Sequence, residues 1–197
     1  MSNQYFENNK DLISEPKEIT YYYRGKTINL TSDNGVFSKD SVDFGSSLML
    51  KSITEFDKKT ILDVGCGYGV IGITLAIFNP EATVTMVDVN LRALELSRSN
   101  ALKNGVNNVV IKESFAYQNI DGKFDMIVTN PPIRAGKAVV HEILEGSFEH
   151  LNDDGVLYVV IQKKQGAESA VKKLQTLYTV VDKITQDKGY WILKCKK

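Results

Sequence analysis

From Lys59 onward, short and nearly continuous apolar runs alternate with longer stretches of helical periodicity, and glycines or polar clusters separate them. Runs such as Met126-Ile-Val128 and Val156-Leu-Tyr-Val-Val-Ile161 have the composition of strands buried on both faces. The pattern predicts strands over residues 60–64, 83–88, 108–111, 124–129, 156–161, 180–184 and 190–194. Helices are predicted over 70–78, 91–104, 137–150 and 166–177. Strands and helices alternating in this way are the signature of an α/β domain with a mostly parallel sheet. The last two strands are separated only by Thr185-Gln-Asp-Lys-Gly189, too short for a parallel crossover, so they are expected to be antiparallel.

Upstream, residues 19–24 and 27–30 are β-prone and flank Gly25, which predicts a hairpin, and an apolar-periodic helix is expected at about 46–54. Residues 1–18 mix Asn, Lys, Glu and one Pro without periodicity and are expected to be a loosely ordered lead-in. The expected organisation is one domain over 19–197, an extension over 19–58 followed by a core over 59–197. No repeat or low-complexity tract interrupts it.

A length of 197 residues with 43% hydrophobic positions suits a single sizeable core. Lysine and arginine balance aspartate and glutamate, 24 against 24, so net charge points to no polyanionic partner. The distribution says more: from Gly155 onward nine lysines face three acids, a net +6 that leaves −6 on residues 1–154. That asymmetry permits a basic face toward nucleic acid, while the plainer reading is a set of solvated helix and strand faces. Two cysteines, Cys66 and Cys195, are too few for a disulfide framework or a zinc site, which fits a reducing compartment. The polar N-terminus lacks an apolar signal region and no stretch reaches the 18 apolar residues of a membrane span, so a cytoplasmic protein is expected.

Chemistry concentrates first in Asp63-Val-Gly65-Cys66-Gly67-Tyr-Gly69, between a predicted strand and helix. Glycines there allow a turn with positive φ and a close approach of backbone to ligand. Gly67-Tyr-Gly-Val-Ile-Gly72 also satisfies the dinucleotide fingerprint, with Asp88 following 21 residues after Gly67 at the next strand end. An acid there accepts ribose hydroxyls, so an adenosine-type ligand is expected, but this motif alone does not choose between a nicotinamide and S-adenosylmethionine. Asp63 favours the latter: a carboxylate two residues before the first glycine attracts a cationic amino-acid end and repels a pyrophosphate.

The second concentration is Asn130-Pro131-Pro132-Ile133, which closes the apolar run 124–129. Two prolines end a strand and stiffen its exit at the carboxyl edge, where open α/β sheets bind ligands. An amide side chain beside a proline carbonyl offers two fixed acceptors for an amino group, which would turn that nitrogen's lone pair toward a methyl donor. The plain alternative is a rigid turn with Asn as its cap.

Taken together, the glycine loop, Val87-Asp88-Val89-Asn90 and Asn130-Pro-Pro-Ile133 resemble the small-domain methyltransferases related to the bacterial 16S rRNA guanine-N2 methyltransferases. The run Gly35-Val-Phe37-Ser-Lys-Asp-Ser-Val-Asp43-Phe-Gly-Ser46 is similar to that group too, as is Arg134-Ala-Gly-Lys137, so the resemblance spans about residues 20–197. It implies a Rossmann-like class I fold: a seven-stranded, mostly parallel sheet with an antiparallel last strand. It further implies S-adenosylmethionine on Asp63, Gly65, Cys66, Gly67, Gly69, Asp88 and Val89, with Ser114 and Phe115 near the adenine, where other families carry an Asp. Catalysis would rest on Asn130, Pro131 and Pro132, and substrate contacts on Phe37, Ile133, Arg134 and Lys137.

Each assignment has a structural counterpart: Phe37 as a core aromatic, Arg134, Lys137, Lys163 and Lys164 as solvated charges, Cys66 as a small residue in a crowded turn. The expected partner is ribosomal RNA or the small subunit, with no metal and no membrane. The resemblance implies that larger relatives carry a second N-terminal domain, which is not expected in this chain. Rival readings are glutamine-N5 or adenine-N6 transfer, whose Asn-Pro-Pro loops generally continue with an aromatic where this chain has Ile133, and, from another class, a nicotinamide oxidoreductase.

Overall fold

The computed structural model describes residues 12–197; most of the expected lead-in, residues 1–11, lies outside them. Two antiparallel strands, β1 (Lys17–Tyr23) and β2 (Lys26–Ser32), form the expected hairpin as a separate two-stranded sheet. Arg24 and Gly25 turn it with φ of 46° and 79°, the paired positive values that match the natural twist of a two-residue hairpin loop. Helix α1 (Phe44–Ser52) follows, beginning two residues earlier than its apolar periodicity suggests because Asp43 caps it, accepting the Ser46 N–H at 2.9 Å.

The core runs β3 (Thr60–Val64), α2 (Val70–Phe78), β4 (Thr83–Asp88), α3 (Leu91–Lys103), β5 (Val109–Glu113), β6 (Phe124–Thr129), α4 (Lys137–Glu149), β7 (Leu151–Gln162), α5 (Ala167–Leu174), β8 (Val180–Asp187) and β9 (Tyr190–Lys196). The seven strands order as β5-β4-β3-β6-β7-β9-β8. Strands β3 to β7 are mutually parallel, and β9, the last in sequence, inserts antiparallel to both β7 and β8. This is the expected Rossmann-like arrangement of a seven-stranded, mostly parallel sheet with an antiparallel last strand.

Strand alternation builds two cores. Ile61, Met126, Val128 and Tyr158 point into one apolar cluster, shared with α1, α2, α3 and the hairpin. Their neighbours Leu62, Ile127, Leu157 and Val159 point into the other, under α4 and α5. Both faces are therefore dry, which is why these strands read as continuous apolar runs. Truncating one such residue, Ile127→Ala for example, costs about 2–5 kcal/mol.

Three core boundaries depart from the sequence expectation by three residues or more. Strand β7 starts at Leu151 rather than Val156, because Leu151 pairs with Phe124 across a bulge that lets Asn152-Asp-Asp-Gly155 look like a loop. Strand β8 continues to Asp187, and only Lys188 and Gly189, with φ of 46° and 80°, make the turn. Helix α5 is shorter than expected, ending at Leu174.

Candidate active site

Parallel pairing puts the carboxyl ends of β3, β4 and β6 side by side, with Val64 opposite both Val87 and Thr129. The residues that follow, Gly65, Val89 and Asn130, line one cavity of about 330 Å³. Its other walls include Phe37, Asp43 and Ser46 from the segment before and into α1, and Ser114 and Phe115 after β5.

The glycine loop is held by its own backbone. The N–H groups of Gly65 and Cys66 both donate to the Val87 carbonyl, at 2.9 and 3.0 Å, and Gly67 N–H donates to Asp88 Oδ2 at 2.8 Å. Gly67 has φ of 55°, and a Cβ built there would meet nothing within 4 Å, so its missing side chain leaves open cavity. Gly69 differs: with φ of 100° it starts α2, and a Cβ would lie 2.6 Å from Ile73 Cδ1. One glycine thus keeps space for a ligand and the other keeps space for the helix.

Asp88 lines the cavity with its carboxylate fixed, Oδ2 on Gly67 N–H and Oδ1 on Asn90 N–H at 2.9 Å. Burial raises its pKa although these backbone donors pull it down. Asp63 stands behind the wall, fully buried. Its Oδ2 accepts the Gly72 N–H at 2.8 Å, while Oδ1 has no hydrogen-bond partner. Burial pushes its pKa up to about 7, the Gly72 bond opposing and the Asp88 charge adding to it. A buried acceptor without a donor is costly, and a ligand's cation is one way to answer it. Burial likewise drives the Cys66 thiol well up, so it stays protonated and packs as a small apolar group.

Asn130 is the most constrained polar side chain of the site. Its Nδ2 donates to Asp43 Oδ2 at 3.0 Å and to Ser46 Oγ at 2.9 Å. Both amide protons are thereby used on the α1 side, and the carbonyl oxygen is the remaining polar group of a residue that lines the cavity. Pro131 and Pro132 line it too, and a short 3-10 turn, Ile133–Ala135, leads from them into α4.

The structure gathers Phe37, Gly65, Cys66, Gly67, Asp88, Val89, Ser114, Phe115, Asn130, Pro131 and Pro132 around this one cavity. Asp63 and Gly69 support it from behind. Ile133 packs partly buried against the core under α4, and Arg134 and Lys137 are exposed; none of the three is on the cavity wall, although Pro132 and Ala135 are. Sequence reasoning assigned no role to Asp43, Ser46 or Tyr68, all of which line the cavity. The signal for Asp43 and Ser46 was present in their helix-start spacing. Nothing along the chain announces that Tyr68 hydroxyl donates to the Ser38 carbonyl at 3.2 Å and so ties the glycine loop to the upstream segment.

Among the described residues no lysine, arginine or histidine lines the cavity, whereas two carboxylates do. Among the described residues no cluster of His, Cys, Asp and Glu is arranged to hold a metal ion, and no helix is long and apolar enough to cross a membrane.

A family model described as "Methyltransferase small domain" matches residues 27–194. The chain belongs to the methyltransferase small domain family. It is therefore a class I S-adenosylmethionine-dependent methyltransferase. A Bacillus subtilis (strain 168) protein called "Uncharacterized protein YbxB" is 49% identical over 200 residues, all of both chains. The Citrobacter koseri "Ribosomal RNA small subunit methyltransferase C" is 37% identical over 142 residues, 70% of this chain and 41% of that one. Among solved structures, "T. Thermophilus 16S rRNA N2 G1207 methyltransferase (RsmC) in complex with AdoMet and Guanosine" superposes with a TM-score of 0.83 at 22% identity, over 92% of this chain and 50% of that one. Both ribosomal RNA methyltransferases are thus about twice as long as this small-domain methyltransferase, and the second demonstrates the shared fold.

Proposed function

We propose that the chain methylates an exocyclic amino nitrogen of RNA, the N2 of a guanine in 16S ribosomal RNA. The observation that carries this reading is the Asn130 amide, whose two protons are taken by Asp43 and Ser46. Its carbonyl oxygen is left as a fixed acceptor at a cavity wall, beside the rigid Pro131-Pro132 pair. An acceptor in that position suits an –NH₂ group, which must keep its protons engaged while its lone pair attacks. No basic side chain is needed, because alignment supplies much of the rate and the proton can leave afterwards.

The cofactor reading rests on the walls. S-adenosylmethionine, when bound, supplies an electrophilic methyl group on a sulfonium. Gly67 leaves open space for it, the Asp88 carboxylate would take the ribose hydroxyls, and Asp63 would face the cationic amino-acid end across the loop. A cavity with two carboxylates and no basic side chain is adverse to a pyrophosphate, which disfavours a nicotinamide.

RNA would approach over the carboxyl edge. The Lys163 N–H donates to the Gly189 carbonyl at 2.8 Å, which draws the Lys188-Gly189 turn to the end of β7. Lys163 and Lys164 are exposed there, one strand away from Asn130, while Lys188, two strands away, lies over the Phe44 ring. Arg134 and Lys137 lie after the prolines, and Phe37, 37% exposed on the cavity wall, is suited to stack on a base. Other C-terminal lysines have structural work: Lys194 pairs with Glu55, Lys173 with Glu145, and Lys183 and Lys197 lie over Trp191 and Phe148.

The test is nucleoside mass spectrometry of ribosomal RNA from a strain lacking the gene, complemented with wild type or Asn130→Ala. One N2-methylguanosine is expected to disappear, to return with wild type and not with the variant. Loss of N6-methyladenosine instead, or an unchanged nucleoside profile, would move the target to adenine or to a protein glutamine.

A further inference from the structure

On the reading that Asn130 receives the target amino group, we infer that Asp43 and Ser46 are positioning residues that lock the Asn130 amide in its receiving orientation. They belong to the run Asp43-Phe-Gly-Ser46, 87 and 84 residues away in sequence from Asn130, and to the start of a different element.

The three side chains close a triangle. Asn130 Nδ2 donates to Asp43 Oδ2 and to Ser46 Oγ, and Ser46 Oγ is itself 3.4 Å from Asp43 Oδ2, to which it donates. Asp43 Oδ2 also takes the Ser46 backbone N–H at 2.9 Å as the cap of α1, so the triangle is pinned to the first turn of a helix rather than to a mobile loop. The intervening Gly45 is required by packing: a Cβ would lie 2.8 Å from the Tyr190 ring and 3.0 Å from Asp43 Oδ2. Tyr190 in turn has its phenol pKa raised by burial and by the Asp43 charge next to it.

A carboxylate can only accept. Turning the amide over would set Asn130 Oδ1 against Asp43 Oδ2 with no proton between them, and would offer donors to a nitrogen that needs acceptors. A neutral hydrogen-bonding partner at position 43 would not discriminate in this way, because its own amide can turn to suit either orientation. The negative charge has a second effect. One amide proton goes to the carboxylate and the other to a hydroxyl that itself donates to it, which draws electron density onto Oδ1, so each bond in the chain strengthens the next and Oδ1 becomes a better acceptor as positive charge grows on the attacked amino group. Ser46 contributes direction and Asp43 contributes direction and sign.

The test uses Asp43→Asn, Ser46→Ala and Ser46→Thr in the full chain, all small changes whose thermal unfolding is measured alongside. Side-chain amide resonances of Asn130 in ¹⁵N-labelled protein are expected downfield and slow to exchange in wild type, altered in Ser46→Ala and Asp43→Asn, and recovered in Ser46→Thr. With tritiated S-adenosylmethionine and ribosomal RNA from the deletion strain, kcat should fall about tenfold or more in Asp43→Asn and Ser46→Ala, the scale of a lost alignment. The KM for RNA and the affinity for S-adenosylmethionine should stay within about twofold, and Ser46→Thr should regain most of kcat. Wild-type kcat in Asp43→Asn and Ser46→Ala, with Asn130→Ala inactive, overturns the positioning role while leaving the Asn130 reading intact. A loss that appears mainly in S-adenosylmethionine affinity also overturns it, since Asp43 would then be a cofactor contact. Undisplaced, rapidly exchanging Asn130 amide protons in wild type overturn the triangle itself, whether or not any RNA is methylated.

Discussion

The dinucleotide-like fingerprint contains glycines with opposite duties, and substituting them one at a time separates the two. Gly67→Ala adds a Cβ to open cavity, with no protein atom within 4 Å. Its cost to folding is confined to the left-handed backbone, φ 55°, about 1–2 kcal/mol for a residue with a side chain. Its cost to ligand binding is larger, because the new methyl takes up open space at a residue that lines the cavity. An affinity loss of about tenfold or more, roughly 1.4 kcal/mol, is expected. Gly72→Ala reverses the balance. Gly72 is helical, but its Cβ would lie 2.6 Å from Met86 Cγ and 3.0 Å from Asp63 Oδ2, within the core and away from the cavity wall. Overpacking of that kind costs about 1–3 kcal/mol, offset by about 1 kcal/mol of improved helix propensity. The net loss should lower the unfolding midpoint by roughly 2–4 °C per kcal/mol at this size. Calorimetric titration with S-adenosylmethionine and thermal melts on both variants make the comparison. Wild-type affinity in Gly67→Ala, or a tenfold affinity loss in a fully stable Gly72→Ala, would refute the division of labour.

Asp88→Ala should weaken S-adenosylmethionine binding by about 1.5–3 kcal/mol, as for hydrogen bonds to a charged acceptor, and unchanged affinity by calorimetry would remove Asp88 from the ribose site. Asp63 predicts a pH dependence: its folded pKa of about 7 lies above the ordinary carboxylate value, so its stabilising share is full below about pH 4 and is lost as pH rises through about 7. Urea melts should therefore show wild type losing up to about 4 kcal/mol relative to Asp63→Asn between pH 4 and 8, and a constant difference would contradict the buried, half-satisfied carboxyl. Charge reversal at Lys163 and Lys164 should weaken RNA binding and flatten its dependence on salt, whereas indifference would return both lysines to the solvated surface.

The elements most legible in the sequence are those whose local rules agree with their tertiary setting. Helix α2 and the strands β3, β4 and β6 have the expected bounds, because apolar runs buried on both faces are terminated by glycine, asparagine or proline. Strand β7 is longer than its apolar run because a bulge admits polar residues between the Phe124–Leu151 and Met126–Val156 pairs, and no periodicity encodes a partner strand's irregularity. The cavity-lining glycines, Asp88 and the Asn-Pro-Pro loop were legible for the same reason that they are local motifs. Asp43 and Ser46 were legible only as a helix start, since a helix cap and a core-facing serine look structural until folding brings Asn130 to them from 87 and 84 residues away. Arg134 and Lys137 illustrate the converse: neighbours of the Asn-Pro-Pro loop in sequence, they are exposed and off the cavity wall, at and beyond the turn Ile133–Ala135.

Three aspartates organise the electrostatics of this site, and their differing burial gives each a separate use. Asp88, at the wall, is anchored by the backbone N–H groups of Gly67 and Asn90, with its carboxylate on the cavity. Asp43, also at the wall, spends its charge on the amide of Asn130 and on the start of α1. Asp63, fully enclosed, has one oxygen on Gly72 and the other unanswered, and its pKa of about 7 is the mark of a charge the empty protein supports poorly. A cation brought to the glycine loop would favour ionisation of both Asp63 and Asp88, offsetting the burial that raises the pKa of each. An anion would act in the opposite sense. The same folded backbone that accommodates a dinucleotide fingerprint is thus tuned by its carboxylates toward a positively charged methyl donor.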